Sequence, residues 1–188
     1  MKKKYIVIAL LLVLIILVFG LVYIFIFKDS PKKDIKQIQS KMEEFLDLSY
    51  QYYLISEGPL EVGEGTIKLN DKTYYYVTNE NFSNTEDIVA LVNKLIYDKY
   101  SLLYIDKVYS NREFINTSKG LYVYFKNEPC KVSYNLENED YNIYMQVEDE
   151  YSINYDSVGV TAIHDDNSWF LSSPLYFCEV PDGAEIEE

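Results

Sequence analysis

The sequence predicts an α+β protein: an N-terminal transmembrane helix followed by a single domain of about three helices packed on a curved antiparallel sheet. Three observations support this prediction. An uninterrupted apolar run opens the chain, helix-period patterns of apolar residues dominate the segments that follow, and short strand patterns separated by polar turns occupy the remainder. Because the helices come mostly before the strands, we expect them to lie against the concave face of one sheet.

The apolar run covers residues 5–27 and contains no charged or amide side chain over its 23 positions. A helix of that length measures about 34 Å, which is enough to cross a hydrocarbon core of about 30 Å. The run is too long for the apolar core of a signal peptide, and no small-residue cleavage pattern follows it, so a retained anchor is favoured over a cleaved leader. This interpretation divides the chain into a cytoplasmic tip (1–4), a transmembrane helix (5–27), a juxtamembrane linker (28–33), an acidic extracytoplasmic domain (34–181) and a disordered tail (182–188).

The orientation of the anchor rests on its N-terminal position. Three lysines precede the apolar run and three follow it closely, so the balance of positive charge does not decide the matter. The usual arrangement of an N-terminal anchor places the N-terminus in the cytoplasm. We therefore expect a single-pass protein of the cell membrane with its domain outside.

The charge of the domain restricts its partners. Residues 34–188 carry 29 of the 30 acidic residues and 11 of the 17 basic residues, which gives them a formal charge of −18. Such a field repels nucleic acids, anionic lipids and anionic wall polymers, and it attracts basic protein surfaces. Nucleic-acid binding is thereby excluded. Aromatic and aliphatic residues are abundant enough to form a core, so we do not expect the domain to be disordered.

The first elements after the anchor are a helix and a hairpin. Apolar residues recur at intervals of three and four from Ile35 to about Ile55, which predicts an amphipathic helix that Gly58-Pro59 ends. Residues 63–77 have the alternation of a hairpin. The segment 70–72 (Asn-Asp-Lys) supplies its turn, because Asn and Asp tolerate the left-handed backbone that tight turns need.

Two further helices are predicted in the middle of the chain. Ser83 and Glu86 have the spacing of a capping box, and an apolar stripe from Ile88 to Ile96 follows them. A second helical segment, from Leu102 to about Tyr109, comes after a break at Tyr100-Ser101. We expect the pair to pack on the sheet.

The remaining segments read as strands. Turn-forming residues at 116–120 separate two strand patterns, and acidic turns separate the later ones. The predicted strands are 113–115, 121–125, 130–134, 141–148, 152–162 and 168–171.

No pattern in the chain indicates catalysis. The one histidine, His164, lies in the sequence His-Asp-Asp-Asn, which is typical of a turn. G-x-S-x-G, H-E-x-x-H, C-x-x-C and glycine-rich phosphate loops do not occur, and the carboxylate clusters lack the spacing of a calcium loop. The chain has 20 tyrosines, and those at 50, 52, 53 and 74–76 fall in helix and strand patterns where half are expected in the core, although stacking on carbohydrate is an alternative. We predict that the protein is not an enzyme and uses no cofactor or metal.

The two cysteines, Cys130 and Cys178, leave two possibilities open. Outside the cytoplasm they can form one disulfide bond between two strands, or they can be two buried thiols. Two cysteines and one distant histidine do not make a zinc site.

Several segments of the domain resemble the IseA family of D,L-endopeptidase inhibitors. The resemblance covers roughly residues 60–174 and rests on the segments 72–77 (KTYYYV), 84–91 (NTEDIVAL), 103–106 (LYID), 120–122 (GLY) and 167–172 (NSWFLS). It implies inhibition by occlusion, in which an acidic surface blocks the basic cleft of NlpC/P60 peptidases that cleave the cell wall.

Two further expectations accompany this resemblance. The acidic turns are the expected contact residues, with ordinary solubility as the alternative explanation of their charge. They are Glu137, Glu139, Asp140, Glu148, Asp149, Glu150, Asp165 and Asp166. The alternative function is that of an NTF2-like, cone-shaped domain that binds a small ligand or an accessory partner at the cell surface, for which a deep pocket lined by tyrosines would be diagnostic.

Overall fold

The computed structural model describes residues 31–130, 141–147, 150–155 and 158–175. The predicted anchor at 5–27 and the predicted tail at 182–188 lie outside the described residues. Among the residues that are described, no helix has the length and apolar character needed to cross a membrane.

The domain is α+β, as the sequence predicts, and its described part contains three helices and eight strands. The helices are α1 (Pro31–Ser56), α2 (Thr85–Leu95) and α3 (Asp98–Asn111). The strands are β1 (Val62–Leu69), β2 (Lys72–Val77), β3 (Arg112–Thr117), β4 (Gly120–Phe125), β5 (Tyr141–Val147), β6 (Glu150–Tyr155), β7 (Val158–Asp165) and β8 (Ser168–Leu171).

The strands form two antiparallel sheets where the sequence predicted one. The first sheet has the order β1-β2-β4-β3 and the second has the order β5-β6-β7-β8. In the first sheet β4 pairs with both β2 and β3, so strands from either side of the α2–α3 pair meet there. The second sheet is a simple meander of neighbouring strands. Local alternation identifies strands, but it does not say which strands pair at long range, and that is why the division was missed.

The link between α2 and α3 is hydrogen-bonded to β8, the last strand of the second sheet. Ile96 forms an isolated parallel bridge with Leu171, and the backbone N–H of Tyr97 donates to the carbonyl oxygen of Leu171 at 2.9 Å. Beyond this strand, the backbone N–H of Leu175 donates to the hydroxyl of Ser49, which is fully buried on α1. The second sheet is thus hydrogen-bonded to the helices through its β8 end.

The first hairpin confirms the predicted turn at Asn70 and Asp71, whereas Lys72, predicted as its third residue, begins β2. Asn70 and Asp71 connect β1 to β2 with φ angles of 47° and 60°, the left-handed conformation that a two-residue turn requires at both positions. The β3–β4 turn is shorter than predicted, because only residues 118–119 lie between the strands. Gly120 begins β4 with a φ of +127°, where a side chain would be strained.

Other predicted boundaries are also wrong. The capping box lies one residue later, with Asn84 accepting from the backbone of Asp87 while the Asp87 carboxylate accepts from the backbone of Asn84. The helix break falls at residues 96–97, so Tyr100-Ser101 lies inside α3. The segment predicted as one strand at 152–162 is a hairpin, since β6 ends at Tyr155 and β7 begins at Val158.

Candidate functional site

Three of the eight predicted contact residues lie at one end of the second sheet, and we call them the acidic end: Glu150, Asp165 and Asp166. Glu150 begins β6 and pairs in register with Ile163, two residues before Asp165 on β7. Asp166 and Asn167 form the β7–β8 turn with φ angles of 43° and 65°. Glu150 is half-buried, whereas both aspartates are exposed. The other five predicted contacts, Glu137, Glu139, Asp140, Glu148 and Asp149, lie outside the described residues.

The acidic end is not neutralised by the described part of the chain. Neither Glu150 nor Asp165 nor Asp166 forms an ion pair with any described residue. The sequence gives the reason, because residues 132–188 contain 14 acidic residues and no lysine or arginine. The second sheet is therefore built from a segment without basic side chains, apart from His164.

The helices and the first sheet contain the basic residues, and many of these are paired. Lysines contact carboxylates in the pairs Lys41–Glu44 (3.3 Å), Lys94–Glu44 (2.9 Å), Lys107–Glu57 (2.6 Å), Lys72–Glu113 (2.6 Å) and Lys126–Glu113 (3.9 Å). The hydrogen bonds from Lys72 and then from Tyr74 lower the pKa of Glu113 below its usual value. A hydrogen bond from Lys94 does the same to the pKa of Glu44. These five lysines are thus engaged with carboxylates of this part of the domain.

A buried arginine joins the first sheet to the end of α1. Arg112 begins β3, is 2% exposed, and donates to the carbonyl oxygens of Leu54 and Gly58. Its guanidinium lies 4.9 Å from the ring centroid of Phe125. Burial lowers the pKa of Arg112 to about 10, so the side chain stays protonated at neutral pH. Leu54 lies in the last turn of α1, where carbonyl groups have no partner within the helix. Gly58 lies just beyond the helix, and its carbonyl also accepts from the backbone N–H of Leu60 at 2.9 Å. These bonds give Arg112 a structural role.

His164 packs against an aromatic ring and lies two positions before the first turn residue, Asp166. It belongs to β7, directly opposite Trp169 on β8, and the two ring centroids are 4.7 Å apart. The predicted turn position for His164 is therefore wrong; the turn consists of Asp166 and Asn167. Within the described ranges, no group of three or more histidine, cysteine, aspartate or glutamate side chains has a geometry that could hold a metal ion.

Cys130 is disulfide-bonded in the structure. Its backbone N–H donates to the carbonyl oxygen of Glu57 at 3.0 Å, and its own carbonyl accepts from the hydroxyl of Tyr53 at 2.7 Å. Both contacts fasten the segment after β4 to the end of α1. Cys178, the other cysteine of the chain, lies outside the described residues, as do residues 131–134 of the strand predicted from Cys130 onward.

An open groove lies on the first sheet, at the end where β2 begins and β4 finishes. Its volume is about 670 Å³, and its lining includes Val62, Asp71, Tyr75, Phe125 and Glu128. The alternation of β2 explains the exposed ring: Tyr74 is 5% exposed, whereas its neighbour Tyr75 is 39% exposed. From the sequence we expect only that half of the tyrosines in such patterns are buried. The period of two in KTYYYV already places Tyr74 and Tyr75 on opposite faces of the strand.

No protein-family model and no curated protein matches the chain.

Proposed function

We propose that the domain is a non-catalytic, membrane-anchored module outside the cell that binds a basic protein surface through the acidic end of its second sheet. The observation that carries this proposal is the distribution of charge. Fourteen acidic residues and no lysine or arginine occupy positions 132–188, and the described carboxylates of the acidic end have no ion-pair partner among the described residues. Opposite fields accelerate association and give it specificity.

The target that we propose is a D,L-endopeptidase of the NlpC/P60 class, whose cleft the acidic end would block. The resemblance of the domain to IseA inhibitors motivates this choice. Occlusion needs no catalytic group, and the packing of His164 against Trp169, 4.7 Å away, fits a domain without one. The turn at Asp166 and Asn167 projects from the end of the sheet and is exposed, a shape that can enter a cleft.

The test measures inhibition of a purified NlpC/P60 catalytic domain with a basic cleft by the full-length chain in a non-ionic detergent. We expect hydrolysis of peptidoglycan to slow in the presence of the chain. The inhibition constant should rise steeply between about 50 and 300 mM salt, because exposed charges are screened over that range. Inhibition that does not change with salt, or its absence with every such enzyme tried, would contradict the proposal.

A pair of triple variants separates the acidic end from net charge. Glu150→Gln, Asp165→Asn and Asp166→Asn together should weaken inhibition by about tenfold, because they remove the local field. Asparagine tolerates the left-handed backbone at position 166, so the turn is preserved. The matched control combines Glu61→Gln, Glu64→Gln and Glu80→Gln, which are exposed residues before the α2–α3 pair. It changes the net charge equally and should leave inhibition within about twofold of the unmodified chain.

The alternative function, binding of a ligand by an NTF2-like domain, is favoured by one observation, the groove on the first sheet. This groove is open and only partly lined by tyrosine, so it is not the deep tyrosine-lined pocket that the sequence reading required. This second function would be favoured if a small molecule relieved the inhibition of the enzyme by a chain whose acidic end is unchanged.

A further inference from the structure

The groove on the first sheet combines aromatic rings with carboxylates. Its lining includes the exposed ring of Tyr75, the half-buried ring of Phe125, Val62, and the charged residues Asp71, Lys126 and Glu128. Tyr75 is 39% exposed and Val62 is 38% exposed, so the apolar floor is open to solvent. The rings of Tyr75 and Phe125 lie 6.4 Å apart and are tilted by 46°, which gives the floor two differently inclined aromatic faces.

One ring of the groove floor already binds a cation from within the domain, because the guanidinium of Arg112 lies 4.9 Å from the ring centroid of Phe125. The ammonium of Lys72 lies 5.1 Å from the ring centroid of Tyr124, which packs with Tyr74 on the opposite face of the sheet from Tyr75. The negative faces of aromatic rings attract cations, and the attraction is larger where the cation loses water. In the described part of the chain, no lysine or arginine lies over the ring of Tyr75. Its face is therefore available to a cation from outside.

The charged groups of the groove leave it with an excess of negative charge. Neither Asp71 nor Glu128 forms an ion pair with a described residue. The ammonium of Lys126 is engaged elsewhere, because it donates to the carbonyl oxygen of Tyr109 at 2.7 Å and lies 3.9 Å from Glu113. An aromatic floor with carboxylates beside it is complementary to an organic cation and repels anions.

We propose that this groove binds an arginine or lysine side chain of a basic peptide segment, with Tyr75 beneath the cation and Asp71 and Glu128 as its charge partners. The exposed apolar surface of Val62 and Phe125 suits the aliphatic stem of such a side chain. The site belongs to the first sheet, so it does not depend on the acidic end of the second sheet or on the proposed target enzyme.

The test uses the full-length chain in a polyoxyethylene detergent and a fluorescein-labelled peptide, Gly-Arg-Gly-Arg-Gly, followed by fluorescence polarisation. We expect saturable binding that Tyr75→Leu weakens by about tenfold and that Tyr75→Phe leaves within about twofold, because phenylalanine keeps the ring face. The double variant Asp71→Asn with Glu128→Gln should weaken binding by about tenfold and reduce its dependence on salt.

Control variants and probes decide between this proposal and its alternatives. Tyr144→Leu removes a comparably exposed ring (48%) from the second sheet and should have no effect. The proposal would be overturned in favour of a neutral ligand if a peptide with citrulline in place of arginine bound equally well. Displacement of the labelled peptide by chitotetraose but not by free arginine would overturn it in the same way. Binding that is lost in the acidic-end triple variant and retained in Tyr75→Leu would place the peptide on the second sheet and also overturn it. Far-ultraviolet circular dichroism confirms that each variant is folded.

Discussion

In the first sheet Lys72 and Lys126 converge on Glu113, whereas in the second sheet the acidic end contacts no lysine or arginine among the described residues. Both sheets have four antiparallel strands, and both contain a two-residue turn with left-handed backbone. Their difference is electrostatic. Ion pairs within a domain offset one another and contribute to its own structure, while an uncompensated field acts on other molecules. Glu113 of the first sheet is thus engaged within the domain, and we propose that the carboxylates of the acidic end act on a partner instead.

The largest expected effect concerns the covalent link of Cys130. We expect its partner to be Cys178, because the chain contains no other cysteine, so the bond would join the segment after the first sheet to the segment after the second. Closing a loop of about 50 residues corresponds to roughly 4 kcal/mol of unfolding free energy. Cys130→Ser should lower the urea midpoint accordingly, measured by the fluorescence of Trp169.

The matched variants for this link are Cys178→Ser and the double replacement. All three should lose the same stability, since each removes the same bond. A larger loss in the double variant, or no loss in Cys178→Ser, would show that Cys130 has another partner and would leave the two sheets without this covalent connection.

A smaller effect is expected when one buried leucine in each sheet is truncated to alanine. Leu121 on β4 is 1% exposed and Leu171 on β8 is fully buried. Replacement of either by alanine should cost about 3 kcal/mol, the sum of lost transfer energy and a residual cavity. We expect circular dichroism and Trp169 fluorescence to report one coincident transition in both variants. Separate transitions in Leu121→Ala would mean that the sheets unfold independently.

The third prediction tests the cohesion of the first sheet through Arg112. Methionine keeps much of the side-chain volume, but it removes the buried donor to the carbonyl oxygen of Leu54 and one of the two donors to that of Gly58, which also accepts from Leu60. We expect Arg112→Met to cost about 2 kcal/mol in unfolding free energy, the typical penalty for buried polar groups that lose a partner. Lys119→Met, in the exposed β3–β4 turn, is the control and should cost little. Equal losses of unfolding free energy in the two variants would contradict the structural role of Arg112 at the end of α1.

Much of this architecture follows from local sequence patterns. The period of α1, the turn at Asn70-Asp71 and the limits of β8 are all fixed by neighbouring residues, and the structure confirms them. The capping box was misplaced by one residue because Ser83 and Asn84 can both cap a helix. In the structure Ser83 also bonds Asp87, through its hydroxyl at 2.7 Å, so the two candidates share one carboxylate. Sequence spacing alone does not choose between them.

The candidate sites were less accessible to sequence reasoning. The acidic turns were identified by composition, but the pairing of β6 with β7 is what brings Glu150 close to the β7–β8 turn. The groove was missed because its walls come from distant segments: Tyr75 pairs with Val123 across the β2–β4 register, which places Phe125 nearby. That pairing spans the whole α2–α3 pair, and no local pattern encodes it.

The smallest expected effect is a change of stability with pH. It distinguishes Glu113, the ion-paired carboxylate of the first sheet, from the carboxylates of the acidic end, which have no described ion-pair partner. Lys72 and Tyr74 lower the pKa of Glu113 from an ordinary value of 4.5, so the unfolded chain binds a proton more readily than the folded one. The stabilisation by this carboxylate is therefore present above about pH 4.5 and is lost as the pH falls through the lowered value.

Glu113→Gln should accordingly lower the urea midpoint near pH 7, and the difference from the unmodified chain should become smaller at acidic pH, as the pH falls below about 4.5. The acidic-end triple variant should show no loss at either pH, because its carboxylates have no described ion-pair partner and repel one another. A loss of stability in the triple variant that follows the same pH course would mean that these carboxylates are engaged within the domain. They would then be unavailable to a partner, and the contrast between the two sheets would fail.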